Sequence, residues 1–300
     1  MYAQTNPCFD DRLQSGLSAS NEKDYNQAIK RWQAALDNCE PNSEQRQKLN
    51  DYISQAKNAL NNNTSTPSTT THYSFEPEMV FVKGSTFQMG SNEGGKNEKP
   101  VHSVTLSDYY IGKFEVTQKQ WREVRGIDPP NLNFTGCDDC PVESVSWEEV
   151  QTYLQQLSTK TGKKYLLPTE AEWEFAAIGG NSSNNYTYSG SNNIDDVAWY
   201  KTNSDSKTHT VGGKQANKLG IYDMTGNVWE WCSDWYDENY YTNSPPQNPK
   251  GASSGTYRTF RGGSWSSSSS VCRVACRGRY GPFNRYSSLG FRVCACFVGP

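Results

Sequence analysis

Long apolar runs, a strong charge of either sign and histidine are what this sequence lacks. No stretch reaches the roughly eighteen consecutive apolar residues of a membrane-spanning helix. The formal net charge of −3, from 29 basic and 32 acidic residues, leaves no basic footprint for nucleic acid. Only three histidines are present, His72, His102 and His209, and a non-haem iron site needs about three clustered histidines or carboxylates. Aliphatic residues are also scarce. Of the 300 residues 34% are hydrophobic, and 11 Phe, 18 Tyr and 9 Trp are among them. That argues against a doubly wound α/β enzyme, whose buried parallel strands need Val, Ile and Leu runs. What is there is a polar, loop-rich chain with aromatics in its core, long for one small domain and short for three.

Nine cysteines are spread over the chain: Cys8, Cys39, Cys137, Cys140, Cys232, Cys272, Cys276, Cys294 and Cys296. An odd number leaves at least one free thiol if the others pair. Met1-Tyr2-Ala3-Gln4 reads as the remnant of a trimmed signal peptide behind a new start Met. That places the protein in a periplasm or at a cell surface, where disulfides persist; a cytoplasmic protein with free thiols is the alternative. Cys137-Asp138-Asp139-Cys140 reads as half a zinc site without a second pair, or as a small disulfide loop or two loop thiols. Cys232, beside Trp231, reads as a small core residue.

Residues 6–60 carry helical periodicity: Tyr25, Ala28, Ile29, Trp32, Ala35 and Leu36, then Leu49, Ile53, Ala56 and Leu60. The run Asp24–Ile29 with Trp32, Ala35-Leu36 and Pro41 resembles one tetratricopeptide-type hairpin with a following helix; a plain helical bundle is the alternative. A polar Asn/Ser/Thr stretch over 61–75 reads as a linker, and 76–300 as a second domain. Met79–Val82, Thr86–Gly90 and Val101–Leu106 pattern as strands. Trp147–Leu157 patterns as a helix capped by Ser146, and Pro168–Ala177 as a helix capped by Thr169 with Glu172 closing a capping box. Residues 178–265 read mostly as Gly/Asn/Ser loops with embedded tryptophans.

The ordered motifs of this part are Phe87-Gln88-Met89-Gly90, Phe114-Glu115-Val116-Thr117, Pro141–Trp147, Leu167–Glu174, Gly220–Trp231, Arg261-Gly262-Gly263-Ser264-Trp265 and Gly290-Phe291-Arg292. In that order, residues 79–293 resemble the formylglycine-generating-enzyme (sulfatase-modifying factor) family. The resemblance implies an α+β, C-type-lectin-like domain with little regular secondary structure, here behind a small all-α segment. Oxidase members hold copper through two cysteines after the Gly-Gly-Ser-aromatic turn. Cys272 matches the second, but the first position is Ser267, a poor ligand for soft Cu(I). The resemblance also implies a calcium site at Asp223, Gly226, Val228 and Glu230, against which stands a metal-free reading in which the carboxylates bond loop amides. Arg261, Arg273, Arg285 and Arg292 are expected to fasten loops to carboxylates or carbonyls.

Residues 266–292 keep a frame of Cys272-Arg273, Ala275, Arg277, Pro282, Arg285 and Gly290-Phe291-Arg292 in a region that is Asn-rich in the family. The positions between are filled by Ser, Cys, Gly, Arg, Tyr and Phe, whose codons reach an Asn codon by changes at its two adenines. Such changes cannot yield Lys, Glu, Gln, Met or Trp. None of these occurs in 266–292, although the chain holds 17 Lys, 17 Glu, 15 Gln, 4 Met and 9 Trp. The stretch resembles the variable region of a diversity-generating retroelement target protein, here 265–292.

The resemblance implies a non-catalytic, receptor-like protein. The expected contacts are Ser266, Ser267, Ser268, Ser270, Val271, Cys276, Gly278, Arg279, Tyr280, Gly281, Tyr286, Ser287 and Ser288. Tyr, Ser, Gly and Arg suit an adaptable binding surface, and alanine at Tyr280 or Tyr286 is expected to leave stability nearly unchanged. The expected partner is an unknown protein or surface ligand, with a second partner possible at the N-terminal helices, and no nucleic acid or membrane span. No catalytic residue or required cofactor is expected, apart from structural calcium. The alternatives are a copper-dependent formylglycine-generating oxidase or other redox member, and a fixed interaction module acting through the helices.

Overall fold

The structure, a computed structural model, describes residues 7–21, 25–39, 41–63 and 74–295. The chain forms two compact units, residues 1–71 and 72–300. In the first, α1 (Pro7–Asn21), α2 (Tyr25–Asn38) and α3 (Ser43–Asn63) pack around Trp32, with Phe9, Leu13, Ala28, Leu49 and Ile53. The expected apolar stripe supplies this core, but its closest approach rests on Gly16. A Cβ there would overlap the Trp32 indole, whose N–H donates to the Leu13 carbonyl at 3.3 Å. A disulfide joins Cys8 to Cys39 and closes the α1–α2 hairpin. The expected linker is shorter than 61–75: α3 continues to Asn63, and Phe75 packs against the second core. Most of it, 64–73, lies outside the described residues.

The second unit is assembled from short strands. They are β1 (Met79–Val82), β2 (Thr86–Met89), β3 (His102–Thr105) and β4 (Tyr109–Gly112), followed by α4 (Gln118–Arg125) and α5 (Trp147–Thr161). Next come β5 (Tyr165–Leu166), α6 (Glu170–Ala177), α7 (Ile194–Val197), β6 (Trp229–Trp235) and β7 (Arg258–Arg261). The chain closes with β8 (Arg277–Tyr280), β9 (Leu289–Gly290) and β10 (Cys294–Ala295). One sheet runs β1-β4-β10-β5, so the C-terminal strand is inserted between β4 and β5; β2 and β3 form a hairpin; the other sheet runs β8-β7-β6-β9.

Local signals set the helices. Thr117, Ser146 and Thr169 each cap a helix in a reciprocal box with Gln120, Glu149 and Glu172. Gly126 and Gly162 end α4 and α5 in the left-handed conformation. Indole N–H groups then tie loops to the core. Trp147 donates to the Cys232 carbonyl at 2.9 Å, Trp231 to Val145 at 3.0 Å and Trp265 to Ser287 at 3.0 Å. The reading of 178–265 as mostly loops omits β6 and β7, the two inner strands of the second sheet. No helix of the described residues is long and apolar enough to cross a membrane.

Asp234 in β6 is buried and caps α6, accepting the Glu170 N–H at 2.9 Å. Burial pushes its carboxyl up from 3.8 to about 7. A folded-state value above the unfolded one makes a stability contribution that is complete below about 4 and lost as pH rises to about 7. Asp234→Asn keeps the acceptor and removes this dependence. The melting temperature of the variant relative to the parent should therefore be higher at pH 8 than at pH 5; an equal difference at both would contradict the assignment.

Candidate functional site

Strand β7 leads into the Arg261–Trp265 turn. Gly262 and Gly263 adopt φ values of 100° and 80°, and a Cβ on Gly263 would overlap the Cys272 sulfur. The chain then passes through a 3-10 turn at Ser269–Val271, β8, a loop over 281–288 and β9.

Paired bonds from four arginines clamp this stretch to distant parts of the fold. Arg273 grips Glu98 at 2.9 and 2.7 Å, and Arg277 grips Glu170 at 2.6 and 2.7 Å. Arg285 holds Glu149 with two bonds of 2.9 Å, and Arg292 holds Glu230 at 2.7 and 2.6 Å. Arg261 is paired with Glu174 and donates to the Cys276 carbonyl at 2.7 Å. Arg277, read from sequence only as part of the frame, thus joins the expected fasteners. Burial works to raise the Glu170 carboxyl, but Arg277 and Arg261 outweigh it and hold it below its ordinary value.

Main-chain bonds hold the positions between the clamps. The carbonyls of Tyr286, Ser287 and Ser288 accept from Ser144 N, Trp265 Nε1 and Trp229 N at 3.0, 3.0 and 2.8 Å. The Ser267 carbonyl accepts from Lys201 N at 3.0 Å. None of these bonds uses the side chain of the variable position.

Exposure follows the same division. Ser266, Ser268, Ser270, Val271, Arg279, Tyr280 and Tyr286 are exposed, and Gly278, Gly281, Ser287 and Ser288 are half-buried. Within the frame, Cys272, Ala275, Arg277, Gly290, Phe291 and Arg292 are buried, Arg273 and Pro282 half-buried, and Arg285 exposed. Ser267 and Cys276 depart from the expected surface, each only 9% exposed. The Ser267 hydroxyl bonds Ser264 N and Oγ at 3.1 and 3.0 Å, while Cys276 lines a cleft. Phe283, 73% exposed, is missing from the expected contacts although its Phe codon obeys the same rule.

The pleat of β8 divides the expected face in two. Tyr280 stacks on Phe260 at 5.1 Å and on Tyr286 at 4.3 Å, and Phe260 meets Trp229 and Trp231 edge-on at 5.0 and 6.0 Å. A column of rings thus runs from the core to the surface. Arg279, one residue along, turns to the other side, over Tyr236 and Tyr257 at 4.9 and 5.5 Å. The column also corrects the stability expected of Tyr280→Ala, because such ring pairs contribute about 0.5–1.5 kcal/mol each. Beside Tyr280 lies a cleft of about 290 Å³, walled by Trp229, Phe260, Val271 and Leu289 with Cys276, Arg277, Gly278 and Ser288. Trp229, Phe260 and Leu289 were not sequence candidates; alternation through Thr259-Phe260-Arg261 was the signal for Phe260.

The residues at the family's metal positions fit metal poorly. At the copper position a buried Ser267 hydroxyl, hydrogen-bonded to Ser264, stands where a second thiolate would be needed beside Cys272. Of the calcium set, Asp223 accepts from Gly212 N at 2.6 Å, and both Glu230 oxygens are on Arg292, one also taking the Trp173 indole N–H at 2.6 Å. Gly226 N donates to Gly262 O, and Val228 N to Glu115 at 3.0 Å. Glu230 therefore has no unshared oxygen for calcium, and we assign no metal there. Among the described residues no three His, Cys, Asp or Glu side chains are grouped to hold a metal. Cys137 and Cys140 form a disulfide; Cys232, Cys272 and Cys276 are buried free thiols, Cys294 is buried, and Cys296 lies outside the described residues.

Residues 64–296 match the sulfatase-modifying factor enzyme 1-like domain. The chaperone protein LppX of Paenibacillus barcinonensis is 36% identical over 277 residues, covering 75% of this chain and 92% of LppX. The formylglycine-generating enzyme of Streptomyces coelicolor is 36% identical over 281 residues, covering 71% and 87%. Among solved structures, Treponema denticola variable protein 1 matches with a TM-score of 0.69 at 33% identity, over 77% of this chain and 99% of its own. The chain belongs to the sulfatase-modifying factor, or formylglycine-generating-enzyme, family.

Breaking a buried pair leaves an uncompensated charge, so Arg277→Ala should cost about 3–5 kcal/mol. Arg279→Ala, which removes only exposed ring contacts, should cost no more than about 1 kcal/mol. Denaturant unfolding of the two variants checks this, and equal losses would contradict the division between clamp and face.

Proposed function

We propose that this chain is a non-catalytic, receptor-like variable protein. Its lectin-like scaffold presents a C-terminal face, rewritten by a diversity-generating retroelement, to a protein or surface ligand. The observation that carries this reading is the agreement between codon pattern and burial. All the codon-flagged contacts except Ser267 and Cys276 reach the surface, while most frame residues are buried or clamped. Tyr280 and Tyr286, at 37% and 39% exposure, are held rigid by stacking, which lowers the entropic cost of using them as contacts. Likeness to the Treponema denticola variable protein supports the same reading. Two disulfides, Cys8–Cys39 and Cys137–Cys140, support export to an oxidising compartment. The N-terminal helices serve as tether or second docking point.

Identity with the Streptomyces coelicolor enzyme favours a second reading, a copper-dependent oxidase. Ser267 weighs against it, because two thiolates suit Cu(I) and one hydroxyl does not. The flanking DNA provides the test. The proposal expects a near-repeat of codons 265–292 that differs only at adenines, beside a reverse transcriptase gene. Absence of the repeat contradicts diversification, and stoichiometric copper with oxidation of a thiol peptide would establish the oxidase instead.

A further inference from the structure

We infer that the cleft beside Tyr280 binds one neutral aromatic group, of phenol or indole size, and that the small residues Cys276, Gly278 and Ser288 set its capacity. The inference rests on reading this face as the ligand face and supplies the ligand's chemical class. Size comes first. A closed apolar cavity of about 150 Å³ accepts benzene, and this open cleft of about 290 Å³ accommodates a larger ring. Its walls favour a ring over an aliphatic chain, because three aromatic side chains, Trp229, Phe260 and Tyr280, line it and a further ring can add to their edge-on and stacked contacts.

Negative charge is excluded by the lining. The guanidinium of Arg277 is already bound bidentately by Glu170. Burial pushes the Cys276 thiol up, so it stays protonated and behaves as a small apolar group. The exposed Arg279 lies on the other side of β8. A carboxylate entering this cleft would meet no free cation and the electron-rich faces of the rings, so its desolvation would be uncompensated.

Capacity depends on what is missing from three side chains. A Cβ at Gly278 would fall within the Phe260 ring, and that ring is wedged against Trp229 and Trp231. Any larger residue at 278 displaces Phe260, and larger residues at 276 or 288 occupy the cleft directly. All three are contacts flagged by the codon pattern; rewriting 276 or 288 fills or empties the cleft while the clamps stay in place, whereas the cleft as it stands needs glycine at 278. The occupant is accordingly the ring of a Tyr or Trp side chain on a protein ligand.

The test uses the intact chain with p-cresol and 3-methylindole, and with propionamide as the polar control, followed by amide shifts of Val271 and Gly278. Expected are saturable shifts with a Kd on the order of 1 mM for both rings, and none for propionamide. Cys276→Phe and Ser288→Phe should each weaken ring binding by about tenfold or more, and Lys83→Ala, at an exposed residue that does not line the cleft, should leave it unchanged. Ser288 lies at a half-buried position, so its variant tests the cleft even if Cys276→Phe fails to fold. No saturable shift, or shifts that persist in a folded Ser288→Phe variant, would overturn the inference. If the genomic repeat is present and the rings do not bind, the cleft assignment alone falls and the variable-protein reading stands.

Discussion

The C-terminal half of the second unit depends on bidentate arginine–carboxylate pairs between residues far apart in sequence, of which Arg277–Glu170 and Arg292–Glu230 are buried on both sides. A domain of two- to seven-residue strands and long loops has few regular hydrogen-bond ladders with which to order its backbone. Each clamp instead fixes a loop through two charge-assisted bonds, and it cannot be half broken without stranding a charge. Glu170 shows how the pieces depend on one another. It opens α6, whose start is defined by the Thr169–Glu172 box; its own N–H is held by Asp234 of β6; its carboxylate receives Arg277 of β8. One helix N-terminus thereby ties the edge strand of the second sheet to the middle of the domain.

That arrangement separates what holds the chain from what the chain displays. Arginines and main-chain bonds carry the load at 273, 277, 285–288 and 292, so the side chains between them are free to differ. The aromatic column, with Gly278 packed beneath Phe260, and the inward-turned Ser267 and Cys276 are exceptions. Tyr280 both faces solvent and stacks on Phe260, so it serves the surface and the fold together. The pleat of β8 then distributes the display over two sides: a ring-lined cleft with Tyr280 and Tyr286 on one, Arg279 over Tyr236 and Tyr257 on the other.

Much of this was legible in the sequence where a local signal exists. Ser146 and Thr169 announce their helices because a cap and its box lie within four residues of each other. The Trp32 stripe and the fastening role of Arg273, Arg285 and Arg292 were equally readable. What failed to show depends on partners remote in the chain. Strands β6 and β7 are hidden because Trp229–Trp235 sits among glycines and asparagines that read as loop. Cys8–Cys39 pairing cannot be deduced from spacing among nine cysteines. The inward turn of Ser267 and Cys276, and the need for glycine at 278 beneath Phe260, arise from packing that no local pattern records.

The most direct measurement is the thermal stability of a single variant carrying Asn at Ser266, Ser268, Ser270, Val271, Arg279, Tyr286 and Ser287 together. If the clamps and the main chain hold this face, the melting temperature should stay within about 5 °C of the parent, equivalent to about 1–2 kcal/mol for a domain of this size. A larger fall would mean that these side chains hold the fold, and the separation of scaffold from display would be wrong.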